Sequence, residues 1–147
     1  MLIEFEEQTA PLDGNELKCM RIIANGLLKR RGKFNAITAK KICAAMNQAI
    51  ADGVYKDIPR DYRLTRITLP KIVNRLRADG TIPLLCATSS GYYIADNKKE
   101  AETYIKSLQG RIRSIRAVEW ALLNQYSQKF GEYTHGNDTH TQGGSVQ

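Results

Sequence analysis

Apolar residues return every three or four positions in four segments of the chain, and two short runs near the middle read as strands. From about Asn15 to Arg31, Leu17, Met20, Ile23, Ala24, Leu27 and Leu28 define one face, with Lys18, Arg21, Asn25 and Lys29 opposite. That spacing predicts an amphipathic helix, and Gly32 is placed to stop it. Thr38 is a good N-cap for a second helix to about Asp52. Its stripe is Ala39, Ile42, Cys43, Met46, Ala49 and Ile50, and Gly53 ends it. Residues 54–67 follow neither period, and Pro59 discourages a helix, so a loop with at most a helical turn is expected there.

The third helix carries the clearest signals. Thr68 is the expected N-cap and Pro70 falls in the first turn, where its missing N–H costs nothing. Ile67 and Ile72 have the spacing of a hydrophobic staple. Leu69, Ile72, Val73 and Leu76 form a narrow apolar stripe, and Asp79-Gly80 closes the helix. Ile82–Cys86 and Gly91–Ala95 then read as two strands of a β-hairpin around Ala87-Thr88-Ser89-Ser90, with Pro83 confined to an edge or strand start. Of the pair Tyr92-Tyr93, alternation turns one ring to the core and the other outward, and the pair is read as capping a small core. A long fourth helix is expected from Lys98 to Phe130, with Ala101, Tyr104, Ile105, Leu108, Ile112, Ile115, Val118, Leu122 and Tyr126 on one face.

These elements divide the chain into an acidic lead-in (1–14), a domain (15–97), the long amphipathic helix (98–130) and a Gly/Thr/Gln-rich tail (131–147) expected to be disordered. The fold class is mainly α with a small β-hairpin. Helix, helix, basic helix and hairpin is the element order of a winged helix-turn-helix domain, in which the third helix has one face free for the DNA major groove.

Charge sharpens this picture. The net charge is +7, yet residues 1–16 hold five acids and no base, and the tail holds two acids and no base. All 22 Lys and Arg and eight of the 15 acids fall in 17–130, which therefore carries +14. A module with that excess favours polyanions, nucleic acid above all. The excess peaks over 60–77, where Arg60, Arg63, Arg66, Lys71, Arg75 and Arg77 face a single acid, Asp61. A merely solvating helix face would mix signs for i,i+4 pairing, and no acid occurs between Arg63 and Arg77. Arg63, Arg66, Lys71, Asn74, Arg75 and Arg77 are therefore the candidate DNA-binding residues. Ser89 and Ser90 join them at the wing tip, which has no Lys or Arg and must use hydroxyls and backbone N–H groups.

Ile72-Val73-Asn74-Arg75-Leu76-Arg77, Asp79-Gly80, Ile82-Pro83 and Ser89-Ser90-Gly91-Tyr92-Tyr93-Ile94-Ala95 resemble the recognition helix and wing of small winged-helix proteins of bacteriophages and prophages. Tyr104-Ile105-Lys106-Ser107-Leu108, followed by Arg111-Ile112-Arg113-Ser114-Ile115, matches the helix that follows in those proteins. The resemblance covers about 66–118. It implies a DNA-binding protein of phage replication or transcription regulation in the cytoplasm of a bacterial host. Two features depart from that pattern: the long connection at 53–66 and the uncharged wing tip.

Other classes have little to stand on. No apolar run reaches the roughly 18 residues of a membrane span, and the three glutamates among Met1–Gln8 argue against a secretory or mitochondrial leader. Cys19, Cys43 and Cys86 are unevenly spaced and read as small buried thiols. His135 and His140 lie in the tail, where a zinc site would lack structurally held ligands. No phosphate-binding loop, paired-histidine metal motif or nucleophile elbow is present, so no enzyme, cofactor or metal is expected. The leading expectation is duplex DNA binding. The alternatives are a protein-binding adaptor or inhibitor that holds a host or phage protein through the winged-helix surface and long helix, and a binder of single strands or RNA. Finally, Ile112, Ile115, Val118, Leu122 and Tyr126 exceed what a small domain can cover, and an imperfect heptad seam there predicts a homodimer paired through 112–126.

Overall fold

The computed structural model describes residues 10–134. Most of the acidic lead-in, the tail from residue 135 onward, and both histidines lie outside them. Four α-helices and one antiparallel hairpin occur among the described residues: α1 (Gly14–Leu27), α2 (Ala39–Ala51), α3 (Thr68–Ala78), β1 (Leu85–Thr88), β2 (Gly91–Ile94) and α4 (Lys98–Phe130). The architecture is thus mainly helical, with a small hairpin and a long last helix. No helix among the described residues is long and apolar enough to cross a membrane. Two compact units divide the chain, and their boundary falls inside α4, between Tyr104 and Ile105.

The start of α1 is fixed by a capping box. The Asp13 carboxylate accepts from the Glu16 N–H at 2.8 Å, and the Glu16 carboxylate accepts from the Asp13 N–H at 2.8 Å. This reciprocity satisfies two donors that a helix start leaves open. The helix ends at Leu27, a turn earlier than Arg31, and a short 3-10 turn (Lys33–Asn35) follows. Its buried side is Glu16, Cys19, Ile23 and Leu27, whereas Leu17 and Leu28 are exposed. The expected stripe is therefore rotated, because a buried carboxylate occupies part of the face that packs.

For α2 the expectation holds: Thr38 caps, its hydroxyl accepting from the Lys41 N–H, and Ile42, Met46 and Ile50 are buried. All four stripe residues of α3, Leu69, Ile72, Val73 and Leu76, are buried as expected. Its cap differs. The Thr65 hydroxyl, not that of Thr68, accepts from the Ile67 and Thr68 N–H groups at 3.3 and 3.1 Å. Ile67 is half exposed beside fully buried Ile72, so the expected staple is not part of the core.

The connection 54–67 is anchored rather than loose. Asn47 on α2 grips Leu64 by both edges, its Nδ2 donating to the carbonyl at 3.0 Å and its Oδ1 accepting from the N–H at 2.7 Å. Ile58 and Leu64 are thereby held in the core with α1, α2 and α3.

The hairpin pairs Leu85 with Ile94, Cys86 with Tyr93, Ala87 with Tyr92 and Thr88 with Gly91. Its inner strand β2 also pairs with the α1–α2 connection. Ile37 and Tyr92 exchange both backbone hydrogen bonds at 3.0 and 2.8 Å, and Ile94 bonds Arg30 and Gly32. Gly91 is required here: its φ is +115°, and a Cβ would lie 2.4 Å from the Ile37 oxygen. Tyr93 is buried and Tyr92 half-buried against the core, which fits the capping role.

Candidate nucleic-acid interface

Seven of the eight candidate side chains fall into three groups, and the eighth, Ser90, is exposed at the hairpin turn and does not line the groove that the third group shares. Lys71, Arg77 and Arg63 are engaged within the protein. Lys71 donates to Glu16 Oε1 at 2.8 Å, with side-chain exposures of 14% and 9% for the two residues, so this cation is held against α1. Arg77 donates to the Tyr104 hydroxyl at 2.6 Å and lies 5.5 Å from the centre of that ring. A guanidinium over an aromatic face is attracted by the ring quadrupole, so Arg77 ties α3 to the first turns of α4. Asn74 accepts weakly from Arg77 at 3.4 Å. Arg63 donates to the carbonyls of Arg60 and Tyr62 at 2.6 and 2.7 Å, closing its own turn.

Arg75 forms the second group alone. It is exposed and faces Asp79 at 3.8 Å, one turn on, a contact that water screens almost completely.

The third group shares a groove. Arg66 and Ser89 line an open concavity of about 360 Å³ with Thr38, Lys40, Thr88 and Tyr92. Three elements build it: the residues entering α3, the first turn of α2, and the hairpin. The Thr65–Thr68 hydroxyl contact at 2.9 Å orders the entry to α3 beside Arg66. On the hairpin, Thr88 Oγ1 accepts from the Ser90 N–H at 3.2 Å and shapes the turn, leaving both serines exposed. Electrostatically the groove combines two exposed cations with the N-terminal end of α2, where the helix dipole favours anions. Burial pushes the neighbouring Cys43 thiol up, partly opposed by Arg66.

Sequence reasoning missed Lys40 as a groove residue. A signal was present: Lys40 and Lys41 occupy the first turn of α2 with no acid there, against the usual preference for Asp and Glu at that end.

The second concavity is apolar. It measures about 200 Å³ and lies between α1 and α2, lined by Ile22, Gly26, Ile37, Ala45, Met46 and Tyr55 among others. Of the cysteines, Cys19 and Cys86 are buried and Cys43 half-buried. Among the described residues no cluster of three side chains could hold a metal.

On α4, the five candidate pairing residues Ile112, Ile115, Val118, Leu122 and Tyr126 are exposed. Tyr126 packs its ring against Phe130 and Tyr133 at 5.2 and 5.4 Å between centroids. No family model matches the chain, and no curated protein or solved structure is significantly similar to it.

Proposed function

We propose that the first unit is a winged helix-turn-helix module that binds double-stranded DNA, in the phage-type replication or transcription role that its motifs resemble. The observation that carries the reading is the meeting of Arg66, Lys40 and Ser89 at one open groove within a segment of +14 charge. Cations from the first turn of α2 and from the connection entering α3, with hydroxyls from a hairpin turn, can grip successive phosphates, which positions a protein on a duplex without reading its sequence. Arg75, exposed in the last turn of α3, is the side chain left to reach a base edge or a further phosphate. Lys71 and Arg77 contribute by fixing the helix that presents it.

In this reading the protein acts as a homodimer joined through α4, since the distal helix keeps a continuous apolar stripe exposed. That stripe also supports a second reading, an adaptor that holds another protein.

Titration of random-sequence duplex at two salt concentrations tests the first reading. Affinity is expected to fall steeply with salt, and Arg66→Ala and Lys40→Ala each to lower the salt slope by about one. Absence of binding at low salt, or binding that salt leaves unchanged, would refute it.

A further inference from the structure

One face of the distal part of α4, exposed except at half-buried Leu108, is symmetric about Ile115. Counting outward along the helix in both directions, three positions reach Ile112 and Val118, and seven reach Leu108 and Leu122. Four positions reach Arg111 on one side and Glu119 on the other. At 3.6 residues per turn, all of these lie within about 60° of Ile115. Ile112, Ile115, Val118 and Leu122 are each more than half exposed. Neither Arg111 nor Glu119 has an ion-pair partner among the described residues.

Such a face is complementary to itself when turned by a two-fold rotation through Ile115. In an antiparallel pair, Ile115 meets its own copy on the axis, Ile112 lies against Val118, and Leu108 lies against Leu122. Arg111 then lies level with Glu119 of the second copy across the seam, once on each side of the two-fold axis. A parallel, in-register pair would instead set Glu119 against Glu119 and Arg111 against Arg111, opposing like charges at the edge of an apolar seam. Isologous pairing of this kind is the commonest mode of homo-oligomer formation.

We infer that residues 108–122 form an antiparallel homodimer interface centred on Ile115, with Arg111 and Glu119 setting orientation and register. The inference rests on the pairing part of the proposed function and adds its direction, its register and the residues that select them. It also accounts for a charged residue, Glu119, within an apolar stripe: a buried or rim charge with a fixed partner specifies one arrangement against the alternatives.

Light scattering and cysteine cross-linking on the full chain test it. The wild type is expected to show twice the 16.5 kDa chain mass at micromolar concentration. Arg111→Glu and Glu119→Arg should each weaken association by roughly tenfold or more, because each places like charges together twice per dimer. The double variant should restore it. Under mild oxidation, a mixture of Leu108→Cys and Leu122→Cys chains should cross-link, while neither alone does so above the wild-type background. Cross-linking of Leu108→Cys alone, or no rescue by the double charge swap, would overturn the antiparallel register and leave pairing through α4 intact. A monomeric wild type would overturn pairing itself, whatever its affinity for DNA.

Discussion

Glu16 Oε1 accepts from two donors at 2.8 Å, the Asp13 backbone N–H and the Lys71 ammonium, and so joins the cap of α1 to the flank of α3. One carboxylate both starts a helix and fixes the helix packed against it. Glu16→Ala should therefore destabilise the first unit by about 3 kcal/mol, because it opens the capping box and leaves Lys71 poorly solvated without a partner. Lys71→Met in the Glu16→Ala background should recover part of that loss. Urea unfolding of the two variants and the wild type checks both expectations, and equal midpoints would show that the pair contributes nothing.

Arg75 and Arg77 lie two positions apart on the same helix yet should respond differently to truncation. Arg77→Ala removes the contact with the Tyr104 ring and its hydrogen bond to the hydroxyl, and a loss of about 1–2 kcal/mol is expected. Arg75→Ala removes only an exposed side chain and should leave the melting temperature within a degree of wild type. In the proposed DNA-binding role, Arg75→Ala lowers duplex affinity without a stability change. A melting-temperature series run beside the titrations separates the two effects.

The same residues show which parts of the fold were legible in the sequence. Leu69, Ile72, Val73 and Leu76 could be placed in the core because a narrow aliphatic stripe on a short helix between other amphipathic elements packs inward. Asn47 could not be foreseen as the clamp on Leu64, since a polar side chain that satisfies a distant backbone leaves no periodic trace. Glu16, Lys71 and Arg77 were hidden for a related reason. Charged residues are assigned outward by default, and their partners lie 55 and 27 positions away in the chain. The hydropathy stripe of α1 was rotated by that same buried carboxylate. At the groove, Arg66 and Ser89 were found from charge and turn position, whereas Lys40 needed the pairing of Ile37 with Tyr92 that brings the start of α2 to the hairpin.

Gly91→Ala tests that pairing. The substitution places a Cβ 2.4 Å from the Ile37 oxygen at a φ of +115°, and backbone cannot step aside as a side chain can. Strain alone should cost about 1–3 kcal/mol, and the Ile37–Tyr92 bonds should open with it. Amide hydrogen exchange should show faster exchange at Ile37 and Tyr92 than in the wild type. Unchanged protection at both would contradict the shared sheet.

Acid should loosen the start of α4. The Asp96 N–H at 2.8 Å and the Lys33 N–H at 3.2 Å both donate to Glu100 and hold its carboxyl below the ordinary value of 4.5. A carboxylate with a lowered pKa in the folded state stabilises fully above its unfolded pKa and loses that contribution as pH falls through the folded value. Thermal stability should thus drop below about pH 4.5 less steeply in Glu100→Gln than in the wild type. Identical acid limbs would remove Glu100 from the explanation.

At the alkaline end the relevant group is Cys19, which is fully buried in α1. Burial, and after it the carboxylates of Asp13, Glu16 and Asp57, push its thiol up from 9.0 to about 11. The unfolded thiol ionises first as pH rises, so the unfolded state gains stability between the two values while the folded state gains none. Stability should therefore be level up to about pH 9 and decline toward pH 11. Tyr62, pushed to about 12 chiefly by burial, adds a decline of the same sign that begins above its ordinary 10.0. Cys19→Ala removes the largest thiol contribution and leaves those of Cys43 and Cys86, whose thiols burial also raises, and of Tyr62, so its loss between pH 9 and 10 should be shallower but not abolished, measured as urea midpoints across that range. The thiols give an independent readout. An aromatic disulfide reagent should label half-buried Cys43 in the folded protein and reach Cys19 and Cys86 only on unfolding. Rapid labelling of Cys19 under native conditions would mean that α1 opens far more readily than its capping box and its ion pair to α3 imply.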